Sequence, residues 1–329
     1  MTTVPGREGP VRRIGFVGTG GVAARHAAVL RQFEDVLLVA ATDVDPARAA
    51  MFGQTNGLDV AADIDELLRF DLDAVYVCVP PFAHGAPELA LLDADVALFV
   101  EKPLAAQEEV AALITDRVAD LGTLTRVGHH WRCAEPVAYA RELLQERTVR
   151  LVNGWWLDKV PPVPWWTDRS LSGGPIIEQA VHVLDLARVL IGEVAQVSAV
   201  AAAPIGPNGA ESATAGLLSF VDGAVGTMTT SSVLAGKHRA GLEIIADGVV
   251  IGVGEDWLEI SDGTGTVERT VFDPWTARVA ADRAFIDALF GRPVEVGTSP
   301  PDYAEAMRTH RLVCALARSV ETKSPERLR

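Results

Sequence analysis

Cysteine is scarce: Cys78, Cys133 and Cys314 are the whole supply. An odd, scattered set without paired spacing offers neither a disulfide framework nor a cysteine zinc site. It fits thiols kept reduced in a cytoplasm. Basic residues are short as well: 29 lysines and arginines stand against 44 aspartates and glutamates, a formal charge of −15. Nucleic acid and anionic membrane surfaces both need a basic face, so neither is an expected partner. Long apolar runs are also missing. No stretch of ~18 apolar residues is there to span a bilayer. Residues 1–10 carry no apolar signal core and read as a disordered tail.

What is present suits a globular chain. Its 329 residues, 49% hydrophobic and 22% charged, are enough for two domains with buried cores. Up to residue 128, short apolar strands (13–17, 36–42, 74–79, 96–100, 124–128) alternate with helical runs such as 20–33 and 81–92. Asp45-Pro46 and Asp63 are placed to open two further helices as N-caps. This rhythm predicts an α/β, doubly wound parallel sheet of the Rossmann type over residues 1–128. Beyond it, strands dominate (149–157, 195–203, 213–221, 224–233, 242–246), with Asp222-Gly223 as a hairpin turn. A helix over 135–147 leads in, another over 176–190 interrupts the strands, and helices over 276–289 and 303–320 close the chain. Residues 129–329 therefore read as an α+β domain with a large, mostly antiparallel open sheet. Its outer face makes a homo-oligomer, a dimer or tetramer, the expected assembly.

Gly18-Thr19-Gly20-Gly21-Val22-Ala23 follows a strand and opens a helix. There, glycines allow a tight turn and close approach of a pyrophosphate, and helix N–H groups can hold its charge. In a chain this acidic, such local N–H groups are the means of holding an anionic dinucleotide. Asp43 ends the second strand, where a carboxylate accepts ribose hydroxyls and repels a 2′-phosphate, favouring NAD over NADP. Val79-Pro80-Pro81 and Glu101-Lys102-Pro103 end strands at the same carboxyl edge, and His84 follows the first of them. These residues complete the expected cofactor set. A lysine so placed can stabilise negative charge developing on a carbonyl or carbinol oxygen.

Glu178, His182 and Asp185 are spaced i, i+4, i+7 and would share one face of an otherwise apolar helix. The histidine suits general acid–base work, and Glu178 joins it and Lys102 as a catalytic candidate able to orient the ring. Glu-x3-His is also metal-ligand spacing, but no further His/Cys cluster supplies the remaining ligands, so no metal is expected. Trp165 and Trp166, with Trp155 and Trp156, bracket a proline-rich stretch, and Arg132 lies in His129-His130-Trp131-Arg132 at the domain junction. Tryptophan faces can stack on a sugar ring, so Arg132, Trp165 and Trp166 join Lys102, Glu178, His182 and Asp185 as candidate substrate contacts.

Taken together, these motifs, with His26 in the first helix and Gly173-Gly174 before His182, resemble the glucose–fructose oxidoreductase/inositol dehydrogenase/MocA family over nearly the whole chain. The resemblance implies NAD(P)-dependent oxidation or reduction of sugars, polyols and related carbonyl compounds. It implies Lys102 and His182 as the catalytic pair, without dividing acid from base between them. The family often has aspartate where Glu178 stands, which alters reach but keeps charge. The expected protein is thus a cytoplasmic dehydrogenase or reductase of a carbohydrate or polyol hydroxyl, using NAD, with NADP less favoured. Two rivals stay open: an NAD-dependent glycosidase using transient oxidation, and a non-catalytic dinucleotide-binding regulator.

Overall fold

The computed structural model describes residues 10–205, 208–265, 267–294 and 299–328. Apart from Pro10, the expected tail lies outside them. So do Gly206 and Pro207 of the loop after the second-domain strand at 194–201. Two compact units emerge.

The first unit holds a six-stranded parallel sheet. Its strands are β1 (Arg12–Val17), β2 (Val36–Thr42), β3 (Asp59–Val60), β4 (Ala74–Val77), β5 (Ala97–Val100) and β6 (Thr125–Val127). They run in the order β3-β2-β1-β4-β5-β6, the doubly wound dinucleotide-binding arrangement. Every residue of β4 and β5 is buried, as expected of strands covered on both faces. Helices α1 (Gly21–Leu30), α2 (Pro46–Asn56), α3 (Ile64–Leu67), α4 (Ala86–Asp93) and α5 (Glu108–Leu121) connect them. Asp45 caps α2 through the amides of Ala47 and Arg48, and Asp63 caps α3 through that of Glu66.

The second unit is built on a nine-stranded sheet. It comprises β7 (Val149–Leu157), β8 (Val194–Ala201), β11 (Ala213–Phe220), β12 (Val225–Ser231), β13 (Arg239–Ala246), β14 (Val249–Val253), β15 (Trp257–Ser261), β16 (Val267–Val271) and β17 (Glu326–Arg327); β9 (Pro204–Ile205) and β10 (Ala210–Glu211) form a separate short pair. All its neighbours are antiparallel except β7 and β12. Strand β11 alternates buried and exposed residues, so one face meets the core and the other meets solvent. Helices α6 (Glu135–Leu144), α7 (Arg169–Ser172), α8 (Pro175–Glu178), α9 (Val181–Leu190), α10 (Pro274–Leu289) and α11 (Tyr303–Thr322) complete the fold.

Four expectations need correction. Residues 278–306 belong to the first unit rather than the second domain. The physical reason is Phe285 of α10, fully buried 5.6 Å from the Tyr76 ring and 5.5 Å from that of Phe99. The helix expected over 81–92 is a 3-10 turn, Pro81–Ala83, followed by α4. Gly85, at φ +119°, breaks the run, and Pro87 then starts a new helix. The helix expected over 176–190 is α8 and then α9, because the Ala180 amide reaches back to Pro175 O, one residue beyond α-helical spacing. Finally, α5 and β14–β16 were not foreseen. Strand β16 is exposed throughout and so lacks the alternation that marks a strand.

Candidate functional site

In the first unit the glycine loop leaves β1 through Gly18, whose φ is +81° and whose missing Cβ would come within 2.6 Å of Cys78 O. Only glycine fits both demands. A Cβ on Gly20 or Gly21 would meet nothing within 4 Å, so the loop faces open space. Ala23 is fully buried, as the small third position of such a loop requires. Unlike α2 and α3, α1 has no side-chain cap: Gly20 is its N-cap, and the first-turn amides are left for an anion. These features fit a dinucleotide pyrophosphate.

Asp43 does more than the sequence asked of it. Its Oδ2 accepts from both the amide (2.8 Å) and hydroxyl (2.9 Å) of Thr19, and its Oδ1 accepts from the amide of Asp45. The carboxylate is only 6% exposed, with Arg48 3.6 Å away. It braces the loop, and any ribose contact must use its remaining lone pairs. Val79 touches the space beside Gly18, Pro80 is half-buried, and Pro81 is buried. His84 is turned inward: its side chain is fully buried, with Nδ1 2.5 Å from Glu88 Oε1. Its expected place at a cofactor is thus replaced by an internal pair, because Glu88 also takes the Gly85 amide and closes the helix start around it.

Glu101 and Lys102 follow β5, with Lys102 half-buried and its bond to Pro103 cis. The Glu101 carboxylate packs against Gly128, where a Cβ would collide with it. Its Oε1 is 3.1 Å from His26 Nε2, and His26 Nδ1 is 2.7 Å from Asp282 Oδ1. Burial alone would lower the His26 pKa, but Asp282 and Glu101 outweigh it and carry it up to about 10. The ring is therefore an imidazolium clamped between two carboxylates. Burial, with Glu101 and Asp282 nearby, pushes the Cys78 thiol well above its usual range and keeps it protonated.

In the second unit His182 sits on α9, buried among rings. Trp131 stacks on it at 5.4 Å and Trp156 at 5.8 Å, and His130 meets it edge-on at 5.4 Å. Lys237 Nζ lies 5.1 Å from the Trp156 ring and 5.9 Å from the Trp131 ring, within cation–π range. Glu255 joins this group, 3.1 Å from His130 Nε2 and 3.8 Å from Lys237 Nζ.

Asp185 does not share an open polar face with His182. Both its oxygens take the Arg132 guanidinium, at 2.6 and 2.7 Å, and Thr309 adds a third hydrogen bond. Burial would raise its pKa, but His129 and Arg132 hold it well below the usual carboxylate range. Arg132 and Asp185, expected at the substrate, thus spend their hydrogen bonds on each other inside the protein. Glu178 Oε2 accepts from the indole N–H of fully buried Trp166 at 2.9 Å, and Trp165 is half-buried. The break before α9 takes Glu178 out of helical register with His182.

Sequence reasoning gave no role to His26, Asp282, Lys237 or Glu255. The glycine-loop helix pointed toward His26. Asp282 is 256 residues from its partner and left no local sign.

Two family models match the chain. Residues 12–129 match the oxidoreductase family's NAD-binding Rossmann fold, and residues 137–250 match the GFO/IDH/MocA C-terminal domain. An inositol 2-dehydrogenase of Rubrobacter xylanophilus is 27% identical over 286 residues, covering 82% of this chain and 78% of that protein. A 2,7-anhydro-N-acetylneuraminate hydratase of Mediterraneibacter gnavus is 27% identical over 192 residues, 55% of this chain, which spans only 50% of that relative's length. A solved levoglucosan dehydrogenase, in complex with NADH and levoglucosan, superposes with a TM-score of 0.85 at 19% identity, covering 96% of this chain and 99% of that one. Matched in both its units, the chain belongs to the GFO/IDH/MocA oxidoreductase family and carries that family's NAD-binding Rossmann fold.

Proposed function

We propose that this protein is an NAD-dependent dehydrogenase or reductase of a hydroxyl-bearing carbon in a sugar, polyol or related carbohydrate. One observation carries the reading: a single chain holds a glycine loop whose helix lacks a cap of its own and a histidine set among tryptophan faces. Bound NAD supplies a hydride acceptor. In oxidation, His182 accepts the hydroxyl proton as the carbon–oxygen bond becomes double; in reduction it returns that proton. Lys102 supplies a hydrogen-bond donor able to steady negative charge on a reacting oxygen. Trp156 offers an aromatic face to the ring of the substrate. The Arg132–Asp185 pair holds the base of α9, and Glu178 fixes Trp166. A screen of sugars and polyols with NAD and NADP, read by absorbance of the reduced nicotinamide, tests this. Failure of every such substrate to reduce either dinucleotide would count against it.

A second reading, a lyase or glycosidase that oxidises its substrate only transiently, is favoured by the relative named as a hydratase. Turnover without net change in the nicotinamide would select it. On the outer face of the nine-stranded sheet Val200, Leu217 and Val225 stand exposed. We expect a homo-oligomer joined there, and light scattering on the intact protein measures it. Among the described residues no cysteine forms a disulfide, which fits a cytoplasmic setting. Among the described residues no helix is long and apolar enough to cross a membrane.

A further inference from the structure

The second unit contains a cavity of about 500 Å³, distinct from the surroundings of His182. Its walls come from α9, α11, the start of α5, and the adjacent strands β8 and β17. Five arginines line it, in a chain whose formal charge is −15. Arg188 forks onto Glu193 at 2.7 and 3.1 Å, and Arg308 reaches the same carboxylate at 3.0 Å. Arg318 pairs with Glu108 and, at 3.6 Å, with Glu326. Glu193, Glu108 and Glu326 can balance three guanidiniums. Two positive charges are left over: of these five arginines, Arg311 and Arg327 have no ion pair among the described residues.

The placement is economical. Arg308, Arg311 and Arg318 share a broad face of α11, being three and seven residues apart. Arg327 faces them from β17, the last strand of the sheet, where it stands opposite Gln196. An acidic chain has carboxylates in surplus, yet among the described residues none closes on these two guanidiniums. A guanidinium is a planar fork that matches the oxygens of a phosphate, and several around one hollow match a polyanion better than a chloride ion. The volume lies within the range of small-molecule sites, ~300–1,000 Å³.

We propose that this cavity binds a small phosphate-bearing anion, with Arg311 and Arg327 as its principal ligands. The site is separate from the dinucleotide loop and is occupied independently of it.

Calorimetric titration of the full-length protein with inorganic diphosphate at low salt, with and without saturating NAD, tests the proposal. Glycerol 3-phosphate serves as a second arm that separates an organic phosphate ester from free phosphate. Binding is expected to persist in NAD, to weaken as salt rises, and to weaken about tenfold or more for each guanidinium removed in Arg311→Gln and Arg327→Gln. The double variant should keep its melting temperature and its NAD affinity, because both side chains are at the surface. No binding of either anion at low salt overturns the proposal. So does binding that NAD abolishes, or binding that the double variant leaves unchanged.

Discussion

Raising the pH should unfasten the first unit at one identifiable point. His26 is 13% exposed and is held between Glu101 and Asp282, the latter fully buried. Its pKa is about 10 when folded against 6.5 when unfolded. A group whose pKa is raised by folding lends its stability fully below the unfolded value and loses it as pH rises toward the folded one. Between these limits the folded protein holds one proton more than the unfolded chain, so stability falls by about 1.4 kcal/mol per pH unit. From pH 6.5, where the unfolded imidazole is still half protonated, to pH 8.5 the loss should be ~2.3 kcal/mol. Above that range Tyr76 and Cys78, whose pKa values are raised by burial, add losses of the same sign, so the measurement belongs below it. Urea unfolding followed by far-UV ellipticity is the assay. His26→Gln should cost ~3–5 kcal/mol at pH 6.5, the usual result of removing one partner from a buried pair. It should also flatten the dependence up to pH 8.5. A wild-type midpoint that is level over that range, or a variant that keeps the wild-type slope, would refute the clamp.

Other expected outcomes concern single side chains. Asp43→Ser should weaken NAD by about 1.5–3 kcal/mol, the worth of hydrogen bonds to a charged group, and shift preference toward NADP; tighter NADP binding by the wild type would contradict this. Lys102→Met should lower turnover by roughly 100-fold with NAD affinity little changed, as steady-state kinetics and a binding titration can show together. His182→Ala should cost roughly 100- to 10,000-fold and abolish the rise of alcohol oxidation with pH; a surviving rise would move the base role to Lys102. Asp185→Ala should destabilise the second unit by ~3–5 kcal/mol by leaving Arg132 buried and unbalanced, seen as an earlier thermal transition even without substrate. Since its folded pKa is depressed, the stability Asp185 lends is present above the unfolded carboxylate range and is lost as pH falls below it.

The legible parts of this chain are those whose signal is local. Gly18 to Ala23 could be read because turn, phosphate approach and helix packing all fall within one strand–helix junction. The Asp45-Pro46 and Asp63 caps, and the alternating strands around Asp222-Gly223, are equally local. The register of Glu178 with His182 and Asp185 was read by the same logic and failed. Spacing predicts a shared face only if the helix is continuous, and the long Ala180–Pro175 bond shows that it is not.

The roles of the charged residues had to come from the fold, because a carboxylate is described by its partners. Asp43 reads from the sequence as a ribose ligand alone, but it also braces the glycine loop through Thr19. Asp185 looks like a partner for His182 until Arg132 takes both of its own. Arg132 in turn looks like a substrate contact only while Asp185 is out of view. Glu101 looks like a prelude to Lys102, but it is the near end of a chain running through His26 to Asp282, a residue on a helix that sequence order assigned to the other domain. In each case the sequence names the charge correctly and leaves its neutraliser unnamed. Burying a charge without a partner costs several kcal/mol, so each buried carboxylate found in such a sequence implies a cation elsewhere in the chain. For Asp282 and Glu101 that cation is His26, and for Asp185 it is Arg132.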